Sequence, residues 1–166
     1  MTSNSVTSNS TTTNKAELTT PGDRDFHVER TFAASRDRVW AAYTEPELLA
    51  QWWGRGNPLD IEKWEFETGG HWRFVEHHDG GTDGFEGRFG DIDPKELIEF
   101  TFEWDGMPAH PCLETTRFVD LGDGRTQVVI DDVFFLAEER DAMLSTGMEG
   151  GMNESYAALD ALLARG

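Results

Sequence analysis

Three stretches of this sequence hold side chains able to do chemistry: His71 with His77-His78-Asp79, His110 to Glu114, and Asp131-Asp132. His71 and His77 share one face of an extended strand, and His77-His78-Asp79 is compact enough to offer metal ligands. That cluster runs into Asp79-Gly80-Gly81 with no further ligand spacing behind it, so a solvated hairpin tip is expected and no metal is assigned. Cys112 as a nucleophile would have His110 on the same side of an extended strand, but the spacing fits a buried, inert thiol better. His110, between Pro108 and Pro111, suits the polar rim of a cavity. Glu114 shares strand parity with Cys112, Thr116 and Phe118. If Phe118 points inward Glu114 follows, and a carboxyl in an apolar cavity has its charged form disfavoured and can act as a general acid or hold a ligand. A bulge or an edge position leaves it in water, which is the expectation for Glu114. In Asp131-Asp132 one carboxylate must face the opposite way from its neighbour. No phosphate-binding loop, dinucleotide fingerprint or Ser-His-Asp arrangement stands out, so no catalytic residue and no cofactor are assigned.

The elements that must position these groups follow from periodicity. Residues 1–24 open on a run of Ser, Thr and Asn and read as a disordered tail closed by Pro21-Gly22. DFHVERTF alternates, with Phe26, Val28, Arg30 and Phe32 on one face, and predicts a strand. Ser35 caps a short helix, and Pro46 starts a second, ELLAQWW, that ends at GRGNP. From Leu59 to Phe135, strands and Gly- or Pro-containing turns predict an antiparallel meander of about six strands. Within it Trp72 and Phe74 share a face, Phe85, Gly87 and Phe89 are in step, and Ile98, Phe100, Phe102 and Trp104 line up. Glu138 to Arg165 predicts one long helix whose inward face is Met148, Met152, Tyr156, Leu159 and Leu163, weakened or broken by Gly147, Gly150 and Gly151. Strands segregated from helices mean an α+β fold, with six or seven strands wrapped on the terminal helix.

Composition narrows the partners. Fourteen Lys+Arg against thirty-two Asp+Glu give a net charge of −18, which disfavours nucleic acid and anionic membranes. Only three lysines accompany that acidity, a balance that suits a salty cytoplasm where repulsion is screened. The single Cys112 fits a reducing compartment, and no apolar run reaches membrane-spanning length. Without the basic and apolar regions of a secretory signal, a cytoplasmic location is expected.

In order along the chain, the sequence carries Val39-Trp40 with Tyr43-Thr44-Glu45-Pro46-Glu47-Leu48, then Trp52-Trp53-Gly54 and Gly69-Gly70 before Trp72-Arg73-Phe74. Asp79-Gly80, Gly87, Pro94-x-Glu96-Leu97, Gly124-x-Thr126 and Gly147-Met148-Glu149-Gly150-Gly151-Met152-Asn153-Glu154-Ser155 follow. As an ordered set these pieces resemble the START-like (SRPBCC) superfamily, and within it the group related to the C-terminal domain of the heat-shock chaperone ATPase activator, an Aha-type domain. The resemblance spans residues 26–164 and implies a helix-grip domain over 25–166. In that fold a curved sheet grips the C-terminal helix, with a cavity between them. The inward aromatics, core by default, then become cavity wall. The ligand-binding candidates are Trp52, Trp53, Trp72, Phe74, Phe89, Phe102, Trp104, Glu114, Met148, Met152 and Tyr156. The first expectation is non-enzymatic binding of a small hydrophobic or aromatic molecule. The resemblance also implies two alternatives, a chaperone partner and a cyclase- or hydrolase-like enzyme resting on Glu114 or His110, and it leaves a homodimer open.

Overall fold

This computed structural model describes residues 14–165, so most of the tail expected over residues 1–24 lies outside the described residues. Its last part differs from that expectation, because Glu17–Thr19 (β1) pairs antiparallel with Asp25–Phe32 (β2), Leu18 opposite Val28. The Asn14 side-chain amide donates to the Thr31 carbonyl (2.8 Å), and the Ala16 N–H donates to Asn153 Oδ1 (3.0 Å). Composition hides such a strand because its partner is the free edge of β2, not an apolar pattern of its own.

In β2 the alternation does what it predicts: Phe26, Val28, Arg30 and Phe32 are buried. Helix α1 (Arg36–Thr44) starts at Ser35, whose hydroxyl accepts the Arg38 N–H. Helix α2 is shorter than expected, Pro46–Leu49 only. Beyond it the chain turns, with the N–H groups of Trp52 and Trp53 both on the Leu49 carbonyl (3.3 and 3.0 Å). Trp52 is buried with its indole N–H on the Ala42 carbonyl (2.9 Å), while Trp53 is half-buried with Phe74 and Phe85 against it edge-to-face.

The meander has its six strands: β3 (Leu59–Trp64), β4 (His71–His78), β5 (Gly81–Asp93), β6 (Leu97–Trp104), β7 (Cys112–Asp120) and β8 (Thr126–Phe134). With β1 and β2 they form one eight-stranded sheet in the order β1-β2-β8-β7-β6-β5-β4-β3, every pair antiparallel. The chain thus crosses from β2 to the far edge through α1 and α2, then walks back to pair β8 with β2. Register slips between Phe89 and Ile92 in β5 and between Ile61 and Lys63 in β3 supply the bends a curved sheet needs. Gly87 is required for strand contact: a Cβ there would lie 1.7 Å from the Thr101 carbonyl oxygen.

The long terminal helix is divided. α3 (Ala137–Ser145) and α4 (Met148–Ala164) meet at Gly147, which has a left-handed φ of 82°. Gly150 and Gly151 remain inside α4. The helix is fastened to the sheet by Arg30, which is 4% exposed and bonds Asp160 in a fork at 2.8 and 2.6 Å. Its guanidinium also covers the Phe32 ring (4.6 Å) and approaches Tyr156 (5.7 Å). The densest core lies here, between β2, β8 and the C-terminal half of α4, where Val28, Phe32, Val128, Phe134 and Leu159 are essentially inaccessible. Toward β3–β6 the same layer is aromatic and hollow.

A candidate ligand-binding cavity

Between the concave sheet face and α4 lies a cavity of about 470 Å³, within the range of small-molecule sites. Trp64, Trp72, Phe74, Phe85, Phe89, Phe100, Phe102 and Trp104 wall it from the sheet. Trp52 and Trp53 close it from the turn after α2, and Met148, Met152 and Tyr156 from α4. Every ligand-binding candidate named from the sequence is on this one wall, Glu114 included. The rings brace one another: Trp72 sits tilted on Phe74 (4.9 Å) and edge-on to Phe100 (5.7 Å), and Trp52 stacks on Tyr156 (6.4 Å). Trp104 donates to Asp83 Oδ1 (3.0 Å), whereas the buried indole N–H of Trp72 has no hydrogen-bond partner among the described residues.

At the solvent-facing edge a polar latch spans three elements. Glu76 follows Trp72 and Phe74 on the inward face of β4 and is 3% exposed. Its Oε2 accepts from Arg55 Nε (2.9 Å), Arg55 Nη2 (2.6 Å) and Asn57 Nδ2 (2.8 Å), while the Arg55 backbone N–H donates to Ser155 Oγ on α4 (2.8 Å). The Glu76 hydrogen bonds hold the Arg55 guanidinium even more firmly protonated than usual. Sequence reasoning passed over this group, although the parity of residues 72, 74 and 76 contains it.

Glu114 corrects the expectation that it lies in water. It faces inward from β7, directly opposite Asp132 on β8, and its remaining accessible surface opens into the cavity. Thr116 Oγ1 donates to Glu114 Oε2 (3.0 Å), and the Cys112 thiol lies 3.4 Å from Asp132 Oδ1. Burial raises both acids: Glu114 is pushed up to about 7, and Asp132 is raised as well, first by desolvation and then by Glu114 itself. Like charges this close cannot both ionise freely, so the pair retains a proton at neutral pH. Of the Asp131-Asp132 dipeptide, Asp131 takes the outer face, 2.7 Å from His27 Nδ1. Cys112 is buried and free, with its thiol pushed up by desolvation, which keeps it inert. Tyr43 and Tyr156 face the acid pair from α1 and α4. Burial raises both hydroxyls, and that of Tyr43 has no hydrogen-bond partner of normal geometry among the described residues.

The histidines stand apart from the cavity. His110 pairs with Glu139 at the start of α3, not with the cavity rim. His71, His77 and His78 each meet a different carboxylate, Glu86, Asp60 and Asp83. Among the described residues no three His, Cys, Asp or Glu side chains converge as metal ligands.

A family model extends this picture. The model for activator of Hsp90 ATPase homolog 1-like protein matches residues 33–164. The chain belongs to this family. A crystal structure of a Rhodobacter sphaeroides protein is similar at 28% identity and a TM-score of 0.81, covering 91% of this chain and 99% of its own. A solution structure from Arthrobacter aurescens follows at 25% identity and 0.80, covering 90% and 92%. A Mycobacterium smegmatis crystal structure shares the fold at 21% identity and 0.78, covering 90% and 97%. No curated protein matches the chain. Among the described residues no helix is long and apolar enough to cross a membrane.

Proposed function

We propose that this protein binds a small hydrophobic or aromatic molecule between the sheet and α4, without chemistry of its own. The observation that carries this reading is the cavity itself: about 470 Å³ walled by Trp and Phe rings, with methionines on the helix side. Such a wall stabilises a ligand through apolar burial of roughly 25 cal/mol per Å², and unbranched methionines adapt to its shape. Cytoplasmic residence is part of the proposal, supported by a lone cysteine held as a free thiol.

Native mass spectrometry of protein from its own host tests the reading. A retained apolar species of defined mass is expected, and Met152→Trp, which fills the cavity from α4, should abolish its retention while the fold stays intact. Unchanged retention in Met152→Trp removes the pocket assignment. A chaperone-sized partner in place of the small molecule would favour the alternative that the family's description suggests. The exposed apolar side chains Leu113, Val133, Phe135 and Leu136 support that alternative. The Glu114–Asp132 pair is the observation that favours an acid–base enzyme, since the two carboxyls share protons inside a cavity a substrate could occupy.

A further inference from the structure

The charged groups on the cavity wall are strongly unbalanced. Arg55 stands against Glu76, Asp83, Glu114, Asp132 and Glu154, and Arg55 is already committed to Glu76. Arg30, the buried cation beside the Tyr156 ring, is forked onto Asp160. Glu114 and Asp132 therefore face the cavity without a cation, held by each other, Thr116 and the Cys112 thiol, with Tyr43 and Tyr156 opposite them. Beside them, on the same wall, is the Tyr43 hydroxyl, buried and without a hydrogen-bond partner of normal geometry among the described residues. The Tyr156 hydroxyl adjoins it without a hydrogen bond of normal geometry, and a buried polar atom so placed is rare and points to a partner that arrives with a ligand.

We propose that the cavity selects a hydrophobic amine, its apolar body against the aromatic walls and its protonated nitrogen on Glu114, Asp132 and the Tyr43 hydroxyl. The inference rests on the ligand-binding reading above and names the class of ligand. Three arguments converge on a cation. An ammonium donates several hydrogen bonds at once, which matches a cluster rich in acceptors. The faces of Trp and Phe rings attract a cation, so the walls support it on the approach. An anion such as a fatty-acid carboxylate meets uncompensated acids with no free guanidinium or ammonium among the described wall residues. The groups that bear on the pair's protonation are Thr116 and Cys112 from β7 and outward-facing Asp131 from β8, with Tyr43 from α1 and Tyr156 from α4 facing it and Arg30 from β2 acting on the two tyrosines. A bound ammonium favours the charged form of the carboxyls, so binding expels a proton and tightens as pH rises.

The test uses the full chain and three matched probes, 2-naphthylmethylamine, 2-naphthalenemethanol and 2-naphthoic acid, followed by calorimetry and by quenching of the cavity tryptophans. At about pH 8 the amine should bind about ten-fold or more tighter than the alcohol, with the acid weakest. Between about pH 6 and about pH 8 amine affinity should rise about ten-fold while that of the neutral alcohol does not. Glu114→Gln should remove both the amine preference and the pH dependence while keeping alcohol binding, and Asp132→Asn provides the same reading if the first variant does not fold. If alcohol and acid bind as tightly as the amine, the amine assignment is overturned and the cavity reading stands. If none of the three binds, both fall.

Discussion

Glu76 and the Glu114–Asp132 pair are buried in the wall of the same cavity, but in different company. Glu76 receives a guanidinium and an amide, and through Arg55 it ties β4 and the turn after α2 to α4. Glu114 and Asp132 receive a hydroxyl, a thiol and each other. A buried acid with its full set of donors is a fastening, and removing its counter-charge is expensive. A buried acid pair without a cation keeps a proton at neutral pH and is poised to respond to whatever enters the cavity. The two acidic features therefore separate the part of the wall that holds shape from the part that can recognise.

The largest expected effect tests the fastening. Arg55→Ala leaves Glu76 buried with Asn57 alone, and urea denaturation should show a loss of roughly 2–3 kcal/mol, the usual cost of breaking a buried pair reduced for the partial exposure of Arg55. A loss near zero would make the latch ornamental. The second effect has the opposite sign. Burial pushes the Glu114 carboxyl up to about 7, so the folded state holds a proton that the unfolded chain has released, and stability falls as pH rises toward that value. Glu114→Gln removes this penalty. It should unfold later than the parent at about pH 8, with the gap narrowing toward about pH 5. A gap that does not vary with pH would mean the carboxyl is solvated. The smallest effect comes from the outer surface. With a net charge of −18, the melting temperature should climb by several degrees from about 0.1 M to about 1 M KCl, because salt screens exposed carboxylates. The buried pair is screened far less, so the Glu114→Gln gap should survive in high salt. A flat salt response would retire the idea of adaptation to a salty cytoplasm.

Much of the site was legible before the structure. Parity along β4, β5 and β6 put Trp72, Phe74, Phe89, Phe102 and Trp104 on one face, because a strand alternates sides strictly. Helical spacing likewise placed Met152, Tyr156 and Leu159 together on α4. Glu114 was misplaced for an energetic reason: an unpaired carboxyl belongs in water by default, and nothing local shows that Asp132 stands opposite it to share a proton. Arg55 was missed because its partners are 21 and 100 residues away. The β1 strand escaped notice because its hydrogen bonds come from an edge made elsewhere.

The sequence by itself determined the α+β class and the faces of the strands, since each follows from short-range sterics and from a period of two or 3.6, and it marked three glycines where the C-terminal helix is weak, of which only Gly147 divides it. Tertiary structure alone decided that the aromatic face encloses a cavity instead of a filled core. It also decided which acids meet a guanidinium and which meet one another. These outcomes depend on how far apart the curved sheet and α4 are held, and on pairings between strands distant in sequence, which no local pattern encodes.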